Sequence, residues 1–351
     1  MRRIALSAVA ALALCAPAAA RADDVVDVPL SFTVANVNRT PDPCTSDGAT
    51  YTLRGHLTAP RGLLAAPGRP PVTLYLHGSV LGELSWRFAA VPGYDTTREL
   101  ARAGHASVTI DQLGYGASDV PPGFGICGGS MADMAHQVIE QLRAGTYSAA
   151  AGPGGGAGAV AAPPRFGRVA LVGFSYGGHV AETEAYSFHD VDALAVESWS
   201  DHPGAQFAAA VTPGAEECAS EQPKRPGGAP DYRFHFLSPD EHVMLADAEP
   251  AVAAALFGLH ERDPCGIYGS MLQIERNSEF AATVTVPVLL VYGTRDALFA
   301  RAEAESEAAD FTGTSDLSVD FVDGAGHFIA LEREAPAFRA VVAGWLDEHR
   351  L

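Results

Sequence analysis

The chain has 351 residues, 48% of them hydrophobic and 19% charged, enough to bury a full core in one large domain or two small ones. That composition excludes a disordered or collagen-like chain. With 42 acidic against 23 basic side chains, the net charge of −19 repels nucleic acid and anionic lipid, and neither is expected as a partner.

The opening stretch MRRIALSAVAALALCAPAAARADD (1–24) carries Arg2 and Arg3, an apolar run over 4–14, then Ala20-Arg21-Ala22 before Asp23. This pattern reads as a signal peptide over 1–22, cleaved near Ala22 on export to the periplasm or the exterior. A lipoprotein anchor at Cys15 is the alternative, against which Leu14 stands where such signals carry a small residue. Without the leader, 20 basic face 42 acidic side chains, a net charge near −22. No later run of about 18 or more apolar residues exists, so no membrane span is expected.

Residues 25–37 and 50–57 are β-rich and separated by a Pro, Asp and Gly loop holding Cys44, which reads as a hairpin. PPVTLYLHG (70–78) is a short apolar run bounded by prolines and a glycine, the signature of a buried strand. A helical region over 86–104, interrupted near Pro92-Gly93, leads to a strand in ASVTIDQLG (106–114). Ser130 precedes the clearest helix: Met131, Met134, Ala135, Val138, Ile139 and Leu142 recur at three and four, and Asp133 is placed to complete a capping box. AGPGGGAGAVAAPP (151–164) has no periodic face and reads as a surface loop. Its glycines do not form a dinucleotide site, since no strand precedes them.

VALVGFSYGGHVAETEA (169–185) reads as strand, sharp turn, helix, and DALAVESW (192–199) as another strand. Residues 202–280 break the rhythm with prolines, two cysteines and short helical patches such as 250–260, as an insertion does. The rhythm resumes with PVLLVYGTRD (287–296), a helix near 300–310, LSVDFVDGAGH (317–327) and a terminal helix over 334–348. Strands alternating with helices imply a mostly parallel sheet covered on both faces. After the leader four cysteines remain, an even number that in an exported chain favours two disulfides, with three connectivities open. Cys218 and Cys265 share the irregular segment while Cys44 and Cys127 lie in loops, so those are the pairs expected.

A serine hydroxyl is a weak nucleophile that needs a base within hydrogen-bond reach and donors for the oxyanion formed on attack. The turn in Gly173-Phe174-Ser175-Tyr176-Gly177 lifts Ser175 clear of the sheet, aims a helix N-terminus at the developing charge, and leaves room only for glycine on either side. His327 follows a strand near the C-terminus and emerges at the same carboxyl edge of a parallel sheet. His179 is closer in sequence, yet its helix carries it away from the attack face. Asp296 also ends a strand and is expected beside His327, fixing its tautomer. Asp201 is the second choice of acid, and Asp323 lies too close to His327 along the chain to orient it. In YLHGSV (75–80) the amide of Ser79, with that of Tyr176, is expected to form an oxyanion hole.

These stretches resemble the serine hydrolases of the α/β-hydrolase fold, in the manner of secreted esterases and lipases. The likeness rests on LHGS for the oxyanion loop, DQLGYGAS (111–118), GFSYGG for the nucleophile turn, GTRD for the acid and GAGH for the histidine. It implies an eight-stranded, mostly parallel sheet, a triad of Ser175, His327 and Asp296, and a cap over 202–280 between core segments 23–201 and 281–351. It also implies that the first strand runs parallel to most others, which puts the Cys44 and Cys127 loops at one edge. Phe174 departs from the polar residue often found before the serine, so a polar contact to substrate is expected to be missing. The serine itself separates the chain from members of the fold that use an aspartate nucleophile.

The expected activity is hydrolysis of carboxylic esters through an acyl-enzyme, with a small-molecule ester or related acyl compound as substrate. The same triad would serve an amidase, lactonase or thioesterase, and a secreted non-catalytic binding protein on this scaffold is the reading of another class. No cofactor is required, and metal is not expected, because HExxH is absent and the cysteines lack close paired spacing. Trp86, Phe124, Trp199, Phe236 and Phe257 are candidate pocket residues. The sequence leaves the oligomeric state open.

Overall fold

A computed structural model describes residues 24–149, 163–220, 231–233, 244–259 and 261–351. The expected leader with Cys15, most of the glycine-rich loop, Phe236 and the side chain of Phe257 lie outside the described residues. Alternating burial along β1 (Val25–Ala35) and β2 (Thr50–Pro60) marks one packed face, and the two pair antiparallel from Val25 opposite Pro60 to Ala35 opposite Thr50. After them come α1 (Arg61–Ala65), β3 (Val72–Leu76), α2 (Thr96–Ala103), β4 (Ser107–Asp111), α3 (Gly128–Ala144), β5 (Ser148–Ala149), β6 (Val169–Phe174), α4 (Tyr176–Phe188) and β7 (Ala193–Glu197). The segment that follows holds α5 (Ala205–Ala219), β8 (Tyr232–Arg233), α6 (Pro250–Phe257), β9 (Asp263–Pro264), α7 (Gly266–Met271) and α8 (Ser278–Ala281). The chain closes with β10 (Val288–Gly293), α9 (Arg301–Asp310), β11 (Leu317–Val322) and α10 (Ala335–Glu348).

One sheet runs in the order β11-β10-β7-β6-β3-β4-β2-β1-β5. Its eight long strands match the expected architecture, and the two-residue β5 adds a ninth beside β1. β2 alone among the long strands runs against the others. Strands β3, β4, β6, β7 and β10 are buried along their whole length, because helices cover both faces and neither can be polar. α2 packs with α10, and α3 with α4.

Three local expectations change. The helix expected after Ser130 begins at Gly128 with Cys127 as its N-cap, so Ser130 stands at the third helical position and its Oγ accepts the Cys127 amide at 3.2 Å. Asp133 completes no capping box; its carboxylate takes the amide and guanidinium of Arg39. The helical region over 86–104 is helical only from Thr96, where Asp95 caps the Arg98 amide at 2.9 Å. Within 202–280 the 15-residue α5 escapes sequence reading, since Pro213 interrupts its pattern from inside.

Both expected disulfides form, Cys44–Cys127 across 83 residues and Cys218–Cys265 across 47. The first ties the β1–β2 loop to the start of α3, and the second ties the end of α5 to the start of α7. In the chain-entropy account, cross-links spanning loops of this length each stabilise by about 4 kcal/mol. Replacing Cys44 and Cys127 together by serine is therefore expected to lower the unfolding free energy by about 4 kcal/mol, read by guanidinium titration against the oxidised wild type. A loss below about 1 kcal/mol would contradict the role given to this bridge.

Candidate active site

Ser175 stands where β6 becomes α4, with φ 51° and ψ −126°, a backbone state rarely used by residues other than glycine. Its amide donates to the Glu197 carbonyl at 2.8 Å, which pins the turn to the end of β7. A Cβ on Gly173 would come within 2.1 Å of the Gly177 carbonyl oxygen, and one on Gly177 within 2.5 Å of the His77 oxygen. The expected steric need for both glycines is thus met by named atoms.

β10 and β11 deliver the other two groups. His327 Nε2 lies 2.9 Å from Ser175 Oγ, and His327 Nδ1 lies 2.9 Å from Asp296 Oδ2. An ionised carboxylate only accepts, so Nδ1 carries the ring proton and Nε2 is left to accept from the serine hydroxyl. The other oxygen of Asp296 accepts the amides of Leu298 and Phe299 at 2.8 and 3.1 Å, which fixes the carboxylate in rotation. His327 is fully buried, and Ser175 is 6% exposed. The rings of Phe174 and Phe299 lie 5.2 and 6.0 Å from the imidazole. Phe174, the residue before the serine, therefore packs on the histidine.

The loop after β3 closes the site from the other side. A Cβ on Gly78 would fall 2.9 Å from Ser175 Cβ, so Ser79 follows a residue in direct contact with the serine. His77 is held by its Nε2 accepting the Gln112 amide at 2.9 Å and its Nδ1 donating to the Gly78 carbonyl at 2.6 Å. Burial lowers its pKa and keeps it neutral, against the pull of the Gly78 carbonyl and nearby carboxylates. Tyr176 opens α4, and a first helical residue has no acceptor for its amide within the helix.

The rejected alternatives have other partners. Asp201 accepts Trp199 Nε1 at 3.0 Å and stands 3.6 Å from His179, while Asp323 accepts Thr294 Oγ1 at 3.2 Å. Trp86 and Trp199 are core residues, and Phe124 is half exposed. Burial alone would lower the pKa of His179, yet Asp201 and Asp42, the latter at 3.5 Å, outweigh it and push it up to about 9.

Burial pushes the carboxyls of Glu182, Glu184, Glu197 and Glu307 well above the usual range, with neighbouring carboxylates adding to it. Two groups among the described residues bring ligand atoms within 4.8 Å of one another as a cation site requires, His136 with Glu184 and Asp190, and His202 with Glu307 and Asp310. Neither contains a member of the Ser175 constellation. The sequence singles out His179 but not its pairing with Asp42 and Asp201, and it shows neither Glu197 nor the two groups, because the partners come from segments far apart in the chain.

The model of the alpha/beta hydrolase family matches residues 73–341. None of the curated proteins compared with the chain matches it. Among solved structures, a thermophilic esterase from Thermogutta terrifontis superposes with a TM-score of 0.63 at 18% identity, covering 91% of this chain and 100% of that one. An esterase from Exiguobacterium antarcticum gives 0.59 at 17% identity, covering 90% and 100%. The enol-lactonase from Burkholderia xenovorans LB400 gives 0.58 at 18%, covering 85% and 97%. Identities this low speak for the fold alone.

The raised pKa of His179 has a consequence for stability. The contribution of its ion pairs is fully present below about pH 6.5, the unfolded value, and is lost as pH rises through about 9. A shift of this size corresponds to about 3 kcal/mol. Denaturant titrations from pH 6 to 10 are expected to show that loss in wild type and a flatter profile in His179→Gln, and equal slopes in the two would exclude His179 as its source.

Proposed function

The chain belongs to the alpha/beta hydrolase family, and we propose that it is an exported serine hydrolase cleaving carboxylic esters through an acyl-enzyme. The observation that carries this reading is the continuous run from Ser175 Oγ through both nitrogens of His327 to Asp296, each step 2.9 Å. Export is supported by the leader-like opening of the sequence and by two disulfides, which persist in oxidising compartments. Among the described residues no helix is long and apolar enough to cross a membrane.

In this mechanism Ser175 Oγ attacks the ester carbonyl while His327 Nε2 takes its proton. Asp296 holds the imidazole in the required tautomer and stabilises the imidazolium. The amides of Ser79 and Tyr176 donate to the tetrahedral oxyanion, where preorganised donors lower the barrier most. His327 returns the proton to the departing alcohol, and water, activated by the same nitrogen, releases the acid. Residues 202–280 serve as the cap that shapes the pocket over Ser175.

A fluorophosphonate is expected to label Ser175 in the purified oxidised protein, mapped by peptide mass spectrometry, with no adduct in Ser175→Ala. Replacement of Ser175 or His327 by alanine is expected to lower kcat by about 10⁴-fold or more on a reactive ester, and the double replacement by little further, since the two act as a unit. A panel of esters, lactones, thioesters and anilides then ranks the acyl classes. A folded protein that neither reacts nor turns over any of them would favour the non-catalytic binding protein.

A further inference from the structure

The loop from His77 to Glu83 carries the proposed oxyanion donor Ser79, and its two ends are held by the core. His77 is bound by Gln112, and the Glu83 amide donates to Asp111 Oδ1 at 2.7 Å. Its middle is held by chain from far away. Val80, the residue after Ser79, donates its amide to Asp263 Oδ1 at 2.8 Å, and its carbonyl accepts the Glu261 amide at 2.7 Å. Both backbone polar groups of this residue are therefore taken by the segment between β7 and β10.

That grip is needed because Val80 has φ 70°. A β-branched residue in the left-handed region is strained and persists only where the surroundings over-determine it. Released, the Val80 backbone would relax toward negative φ and swing the preceding peptide, which contains the Ser79 carbonyl and lies next to the Ser79 amide. Asp263 is well placed to prevent this. It is fully buried, its Oδ1 also accepts the Tyr115 hydroxyl at 2.7 Å, and it pairs with Arg233 in the β8–β9 ribbon. Two residues on, Cys265 is bonded to Cys218.

We infer that Asp263 is a positioning residue for the reaction, acting through the Val80 peptide to keep the Ser79 amide aimed at the oxyanion formed on Ser175. This rests on the hydrolase reading proposed above. The segment beyond β7 is then part of the catalytic apparatus in addition to covering it.

The test compares wild type, Asp263→Ala, Asp263→Asn and the double variant Asp263→Ala/Val80→Gly on p-nitrophenyl butyrate, with the rate of Ser175 labelling by fluorophosphonate as a second readout. Asp263→Ala is expected to lose about 10- to 100-fold in kcat and in labelling rate with KM within about threefold, since an oxyanion donor acts mainly in the transition state. Glycine at position 80 adopts the left-handed backbone without a clamp, so the double variant is expected to recover about a third or more of the lost rate. A purely structural role for Asp263 would give neither the kcat-only loss nor that rescue. Asp263→Asn keeps size and acceptor, so its fold is expected to hold whether or not that of the alanine variant does, and its kcat is expected within about threefold of wild type.

A kcat for folded Asp263→Ala within about threefold of wild type overturns the inference and leaves the hydrolase reading standing. A tenfold or greater loss in Asp263→Asn also overturns it, by showing that the charge matters and not the hydrogen bond. A folded wild type with neither turnover nor a Ser175 adduct takes down both.

Discussion

The backbone of Ser175, held at positive φ where a strand gives way to a helix, is the constraint on which the site depends. It is kept there by three glycine contacts that close on one another. Gly173 admits the Gly177 carbonyl, Gly177 admits the His77 carbonyl, and Gly78 admits the serine's own Cβ. Such approaches are available only if β3 and β6 are neighbours in parallel register, as they are with Leu76 opposite Gly173. The hydrogen bond from the Ser175 amide to Glu197 then places β7 on the other side. With three central strands so arranged, β10 and β11 continue the sheet and bring Asp296 and His327 to the same edge.

The chain between β7 and β10 is bound to both loops that flank the serine. On one side Asp263 and Glu261 hold Val80. On the other, buried Glu332 accepts the amide of Gly326, next to His327, and those of Ala246 and Asp247, while the Phe328 amide donates to Met244. Lost hydrogen bonds at buried polar groups are costly, so this segment does not part from its base freely. The Cys218–Cys265 bond reinforces one of the two attachments.

What is legible in the sequence is whatever local chemistry dictates. A serine between glycines at a strand–helix junction, strands that are apolar throughout, and a histidine and an aspartate at strand ends all follow from turn geometry and burial within a few residues. The start of α3 is hidden because Gly128 and Gly129 look like loop residues. They are glycines because a Cβ would strike His179 and Asp42 at one and Asn38 and Thr40 at the other, contacts that exist only once α4 and the β1–β2 loop have docked. Asp263 is invisible for the same reason: 183 residues separate it from Val80, and no spacing rule connects an aspartate in an irregular segment to a loop that far away.

The pairing of His179 with Asp42 and Asp201 bears on which acid can serve His327. Asp201 ends up in the same neighbourhood, yet it is committed to a cationic partner and to the Trp199 indole. The Trp199 ring stands against both His179 and Phe299, at 5.6 and 5.4 Å, and Phe299 in turn stands against His327. This aromatic wall separates His327 from a histidine that holds its proton to about pH 9. Among the described residues Asp296 has no such competitor: one oxygen is fixed by two backbone amides and the other faces the imidazole. The preference for Asp296 over Asp201 therefore follows from how the two carboxylates are already spent, beyond their order along the chain.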